Sequence, residues 1–90
     1  LWVEGEIGRM TVHASGNWYF TLVEGNEALD AAMWGREASR LRWTPRQGER
    51  VLVGGALELY QGRLRLSARY LLPYEDFIRG YRALPVRILN

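Results

Sequence analysis

The sequence predicts an all-β chain, one small five-stranded barrel with a short helix between its third and fourth strands. Three observations lead there. Five runs of β-forming residues, each bounded by turn residues, follow one another through residues 2–72. Glycines interrupt the first run at Gly5 and Gly8 and the fourth at Gly54 and Gly55, where a small barrel needs kinks to close. A single segment between runs three and four changes to helical period. At 90 residues the chain has room for one domain with a thin core. Short strands in so small a chain are best served by closing the sheet, which removes its unpaired edges.

Each element follows from its own residues. Trp2–Val12 is the first strand, and His13-Ala14-Ser15-Gly16-Asn17 the turn after it. Trp18–Val23 is the densest β-forming run. Glu24-Gly25-Asn26-Glu27 is a tight turn into a third strand, Ala28–Trp34. Through Gly35–Trp43, Trp34, Ala38 and Leu41 recur at helical spacing with Arg36, Glu37 and Arg40 on the other side; Pro45 ends the region. Arg50–Tyr60 is the fourth strand, and Gln61-Gly62 a hairpin turn into the fifth, Arg63–Leu72. There Leu64, Leu66 and Ala68 alternate with Arg63, Arg65, Ser67 and Arg69. Pro73 stops the strand, and Glu75–Ala83 reads as a short amphipathic helix. The expected division is a barrel over 1–72 and a helical C-terminal extension or linker over 73–90. Three strands, a plugging helix and two further strands is the order of the OB-fold, a Greek-key barrel.

Composition narrows the function classes. Hydrophobic residues make up 48% and charged residues 24% of the chain, which suits a folded domain. The absence of cysteine excludes disulfides and thiolate metal sites. No run approaches the ~20 apolar residues of a membrane span, and no basic leader opens the chain, so no membrane partner is expected and a cytoplasmic location is. The first residue is not methionine, which suggests a piece of a longer protein. Net charge is only +2, but all 12 basic residues are arginine, which grips phosphate in a bidentate fork and stacks on bases.

The assembled residues resemble a known family. Trp2-Val3-Glu4-Gly5-Glu6-Ile7 and Ser15-Gly16-Asn17-Trp18-Tyr19-Phe20-Thr21-Leu22 are similar to the opening and second strand of the N-terminal OB domain of the exonuclease VII (exodeoxyribonuclease VII) large subunit. Ala32-Met33-Trp34-Gly35-Arg36, Arg40-Leu41-Arg42-Trp43, Gly48-Glu49-Arg50-Val51-Leu52-Val53 and Leu57-Glu58-Leu59-Tyr60 continue the likeness in order. Asn17 stands where the family has histidine, Val23-Glu24 where it has Lys-Asp, the hairpin after Tyr60 is shorter, and the likeness stops near Leu72. The resemblance implies ATP-independent degradation of single-stranded DNA to short oligonucleotides by the parent protein. It also implies catalytic residues outside this domain, with the rest of the large subunit and a small subunit as protein partners.

A non-specific single-strand binder needs aromatic platforms and cations along one groove. In an OB-fold that groove crosses strands two and three, between the loops after strands one and four. Alternation sends Trp18, Phe20 and Leu22 inward and Tyr19, Thr21 and Val23 outward. It likewise sends Leu29, Ala31 and Met33 inward and Asp30, Ala32 and Trp34 outward. The expected nucleic-acid contacts are Tyr19, Thr21, Trp34, Arg9, Tyr60 and the arginine row Arg63, Arg65 and Arg69, with Glu58 partly neutralising that row. Trp34 is equally readable as a stacking platform or a helix-packing residue, and Trp43 reads as a barrel plug. Asp30 on this face works against phosphate binding.

Catalytic motifs are missing. His13 lies in a turn beside no nucleophile motif, Glu4 and Glu6 lack a third metal ligand, and Gly54-Gly55 suits a barrel bend better than a phosphate loop. The fragment is expected to be no enzyme by itself, with no cofactor, no metal and no small-molecule substrate. The leading expectation is a single-stranded DNA-binding module presenting substrate to a nuclease domain. The alternatives are an OB-fold for protein–protein assembly, an RNA- or tRNA-binding barrel, and a hydrolase acting alone.

Overall fold

The computed structural model describes residues 1–76. Strands β1 (Trp2–Val12), β2 (Trp18–Glu24), β3 (Glu27–Met33), β4 (Arg50–Tyr60) and β5 (Arg63–Pro73) enclose a closed barrel in the order β1-β2-β3-β5-β4. Helix α1 (Gly35–Ala38) joins β3 to β4. All seams are antiparallel except β3–β5, where Asp30, Ala31 and Ala32 pair with Arg65, Leu66 and Ser67. This is the five-stranded OB barrel that the order of elements predicts. The helix expected at Glu75–Ala83 falls, from residue 77 on, outside the described residues.

The interior is a single apolar cluster. Ile7, Phe20, Leu22, Met33, Val51, Val53, Leu66 and Leu71 are its large members, and Trp18 joins them as alternation along β2 requires. Each such side chain contributes roughly 1.5–3 kcal/mol when fully withdrawn from water. Ala38, Leu41 and Trp43 pack on the cluster from the helix side, so Trp43 takes the plug position.

Two bulges set which residues face outward. Along β1 the register shifts between Ile7 and Arg9. Before the shift the odd residues Gly5 and Ile7 are buried; after it Met10 packs on the core while Arg9 and Thr11 are exposed. Without the bulge Arg9 would point into the barrel. Gly8 is required there, since a β-carbon would lie 2.6 Å from Val23 Cγ2 and 2.7 Å from Thr21 Oγ1. The second bulge is in β5. Gly55 pairs with Ala68 and Gly54 with Tyr70, leaving Arg69 as the extra residue. A β-carbon on Gly55 would overlap the Ser67 carbonyl, so only glycine admits this close strand approach.

The structure departs from simple periodicity in three further places. The expected nine-residue helix is a single turn, because Arg40 and Leu41 donate to the carbonyls of Glu37 and Ala38, three residues back, which tightens and ends it. Ala32 alternates outward yet is fully buried, lying between Tyr19 of β2 and Ser67 of β5. Leu64 shares the face of buried Leu66 but is 55% exposed. It belongs to the β4–β5 hairpin, whose turn places Gln61 and Gly62 at φ of 53° and 77°, the pair of left-handed residues a two-residue turn of type I′ needs.

Candidate nucleic-acid interface

A groove of about 500 Å³ runs over the outer face of β1, β2 and β3 and is walled by the β4–β5 hairpin. Arg9, Tyr19, Thr21, Tyr60, Arg63 and Arg65 all line it, as do Thr11, Asp30 and Gln61. The barrel thus gathers side chains that are far apart in sequence. Trp34 stands beside the groove as the residue capping α1, in extended conformation. It is half-buried and outside the core cluster. Arg69 does not line this groove; it is exposed on β5 as the extra residue of the bulge, next to buried Ala68.

The aromatic residues form a connected series. Tyr19 meets Trp34 edge-on, with ring centroids 6.2 Å apart at 81°. The Arg65 guanidinium lies 5.3 Å from the Trp34 ring centre and 3.9 Å from that of Tyr60, the range of cation–π attraction. Glu58, opposite Arg65 on β4, holds the guanidinium through bonds of 2.8 and 3.2 Å from Nη2 and Nε. Arg65 is therefore fixed between two rings with its charge met by a carboxylate. Its place is that of a spacer holding Trp34 and Tyr60 apart, rather than of an unengaged phosphate clamp.

Tyr19 is fixed by a residue that sequence reasoning left aside. Asn17 Oδ1 accepts the Gly35 backbone N–H at 2.7 Å, so the amide nitrogen must face the other way. There Nδ2 donates to the Tyr19 hydroxyl at 3.2 Å. One side chain ties the β1–β2 turn to the start of α1 and sets the Tyr19 ring, and the His13 ring meets Tyr19 edge-on at 6.3 Å. Nothing in the local sequence marks Asn17 beyond its place in a turn, because both partners come from the fold.

Charge is distributed unevenly. Among the described residues, Arg9 and Arg63 make no ion pair, whereas Arg36 and Arg40 share Glu37 at 3.8 and 3.7 Å. Arg50 is held by Glu4 at 2.6 Å and Glu24 at 2.7 Å, and these hydrogen bonds raise its pKa above the ordinary value. Glu4 is thus engaged in an ion pair. Among the described residues no three histidine, cysteine, aspartate or glutamate side chains are grouped to hold a metal ion. Among them, too, no helix is long and apolar enough to cross a membrane.

The model of the family described as "OB-fold nucleic acid binding domain" matches residues 1–71. The chain is similar to the exodeoxyribonuclease 7 large subunits of Nautilia profundicola (38% identical over 73 residues, 79% of this chain and 16% of that protein) and Stenotrophomonas maltophilia (44% over 63 residues, 70% and 14%). It therefore spans about one-sixth of the length of the curated relatives it matches. Among solved structures it is similar to a chain of a replication protein A heterotrimer bound to single-stranded DNA. That match has a TM-score of 0.67 at 20% identity, over 91% of this chain and 65% of the other. The second OB-fold domain of replication protein A from Methanococcus maripaludis superposes with a TM-score of 0.65 at 13% identity, covering 82% of each chain.

Proposed function

The chain belongs to the family of OB-fold nucleic acid binding domains, and from that premise we propose that its groove holds single-stranded DNA for a nuclease domain elsewhere in the parent protein. The observation that supports this reading most is the arrangement of the groove. Two arginines without carboxylate partners, Arg9 and Arg63, stand beside a connected Tyr19–Trp34–Arg65–Tyr60 series. Cations beside ring faces match a strand whose phosphates and bases alternate. A duplex keeps its bases stacked inside and offers no faces to these rings.

The chain's own residues would do three things. Arg9 and Arg63 attract the phosphates, Tyr19 and Tyr60 offer faces for bases, and Asn17 and Glu58 hold the platforms in place. Hydrolysis belongs to a part of the parent outside this chain, so the module is a binder and no enzyme by itself. Cytoplasmic location, and contact with the remainder of the large subunit and a small subunit, follow from the same reading, since the relatives are named as large subunits of an exodeoxyribonuclease.

An assembly role has one observation in its favour. Leu57, Leu59 and Leu64 are exposed on the hairpin face that carries Leu66, opposite the face of Glu58, Tyr60, Arg63 and Arg65. Titration of tryptophan fluorescence with mixed-sequence single-stranded DNA, single-stranded RNA and duplex DNA at several salt concentrations tests the main reading. Salt-weakened binding of single-stranded DNA in preference to duplex supports it. Undetectable or salt-independent binding overturns it in favour of assembly, and equal or tighter binding of RNA moves the substrate to RNA.

A further inference from the structure

Asp30 places a carboxylate in the floor of the groove, next to Thr21 on β2 and Arg65 on β5. It is half-buried, and among the described residues its side chain has no ion pair or hydrogen bond. Arg65, the adjacent cation, is engaged by Glu58 instead. An unpartnered carboxylate repels phosphate, so a bound strand must turn its backbone toward Arg9 and Arg63 and its bases toward Asp30. An ionised carboxylate can only accept hydrogen bonds. It therefore attracts bases that present amino groups and repels those that present carbonyl oxygens.

The geometry points to Asp30 as a residue that selects among bases: the groove favours bases that carry an amino group, cytosine, guanine and adenine, at this position and disfavours thymine or uracil. Cytosine offers its N4 amino group, a donor suited to Asp or Glu, and guanine offers N1–H and its N2 amino group. Thymine and uracil offer one N3–H flanked by two carbonyl oxygens, which face the carboxylate with like charge. Stacking on Tyr19 or Tyr60 tolerates every base, so it supplies affinity while Asp30 supplies the preference. This inference rests on the groove being the single-strand site.

The test compares oligo-dC with oligo-dT of equal length, two pyrimidine strands that differ at the group facing Asp30. Fluorescence titration of the 90-residue chain and of Asp30→Asn reads both affinities. The unaltered chain is expected to bind oligo-dC at least about fivefold more tightly, the lower end of one good base contact. Asp30→Asn, nearly the same size and uncharged, is expected to bind oligo-dT more tightly and to lose most of the preference. Equal affinities in the unaltered chain, or a preference unchanged in Asp30→Asn, overturn the role of Asp30 while leaving the groove as the site. Binding of neither strand overturns the single-strand reading itself, and this inference with it.

Discussion

The barrel carries two outer regions built from the same residue types, and they differ in how far those residues are already engaged with one another. Over β1 and β4, Arg50 is closed by Glu4 and Glu24, and Trp2 stacks on Tyr70 at 25° with its ring lying over Gly54. Over the second half of β1, β2, β3 and the hairpin, Arg9 and Arg63 make no ion pair among the described residues, and Tyr19 meets Trp34 edge-on at 81°. Stacked rings use a face on each other, whereas an edge-on pair leaves a face of one ring uncovered. Arginines and aromatics are therefore an ingredient list, and partner state decides whether they make a site.

Paired substitutions on the two faces test that contrast. The largest expected effect is Tyr19→Ala, which should weaken single-strand binding by about 1–3 kcal/mol, while Tyr70→Ala leaves affinity unchanged; fluorescence titration reads both. Next, Arg9→Gln and Arg63→Gln should each lower the slope of log affinity against log salt by about 0.7. Arg50→Gln should leave that slope alone and reduce stability by less than about 1 kcal/mol, as befits a largely exposed ion pair, seen as a small shift in urea midpoint. Smaller in its effect on binding is Asn17→Ala, which removes two hydrogen bonds at about 1 kcal/mol each. It should lower the unfolding midpoint and weaken binding less than Tyr19→Ala does. A binding loss at Arg50 or Tyr70 equal to that in the groove would erase the distinction between the faces.

Much of the fold was legible because local rules and barrel closure agree. The bounds of β1 and β4 follow from residues 2–12 and 50–60 as read; the Gly8 interruption is a bulge as glycine in a strand suggests, and Gly54-Gly55 lie opposite the bulge of β5. The helix was overestimated because Leu41 and Trp43 reach the core from a turn as readily as from a helix. For the candidate site, period two separates Tyr19 from Trp18 and Phe20, and the fold brings Tyr19 together with Thr21, Arg9, Tyr60, Arg63 and Arg65. That Arg69 stands at a bulge was not legible, because an extra residue in one strand is invisible to counting. The neutralisation of Arg65 by Glu58 was read from the alternation, but Asn17 and the clasp of Arg65 between two rings were out of reach. They depend on hydrogen bonds to Gly35 and on rings from other strands, and periodicity along one strand carries no such information.

The most direct test of the groove is amide chemical-shift mapping during titration of the chain with a mixed single-stranded oligonucleotide at low salt. Shifts should concentrate at Arg9, Tyr19, Thr21, Asp30, Tyr60, Arg63 and Arg65, and collapse as salt is raised. Shifts centred on Trp2, Gly54 and Tyr70, or on the exposed leucines of the hairpin, would contradict the account.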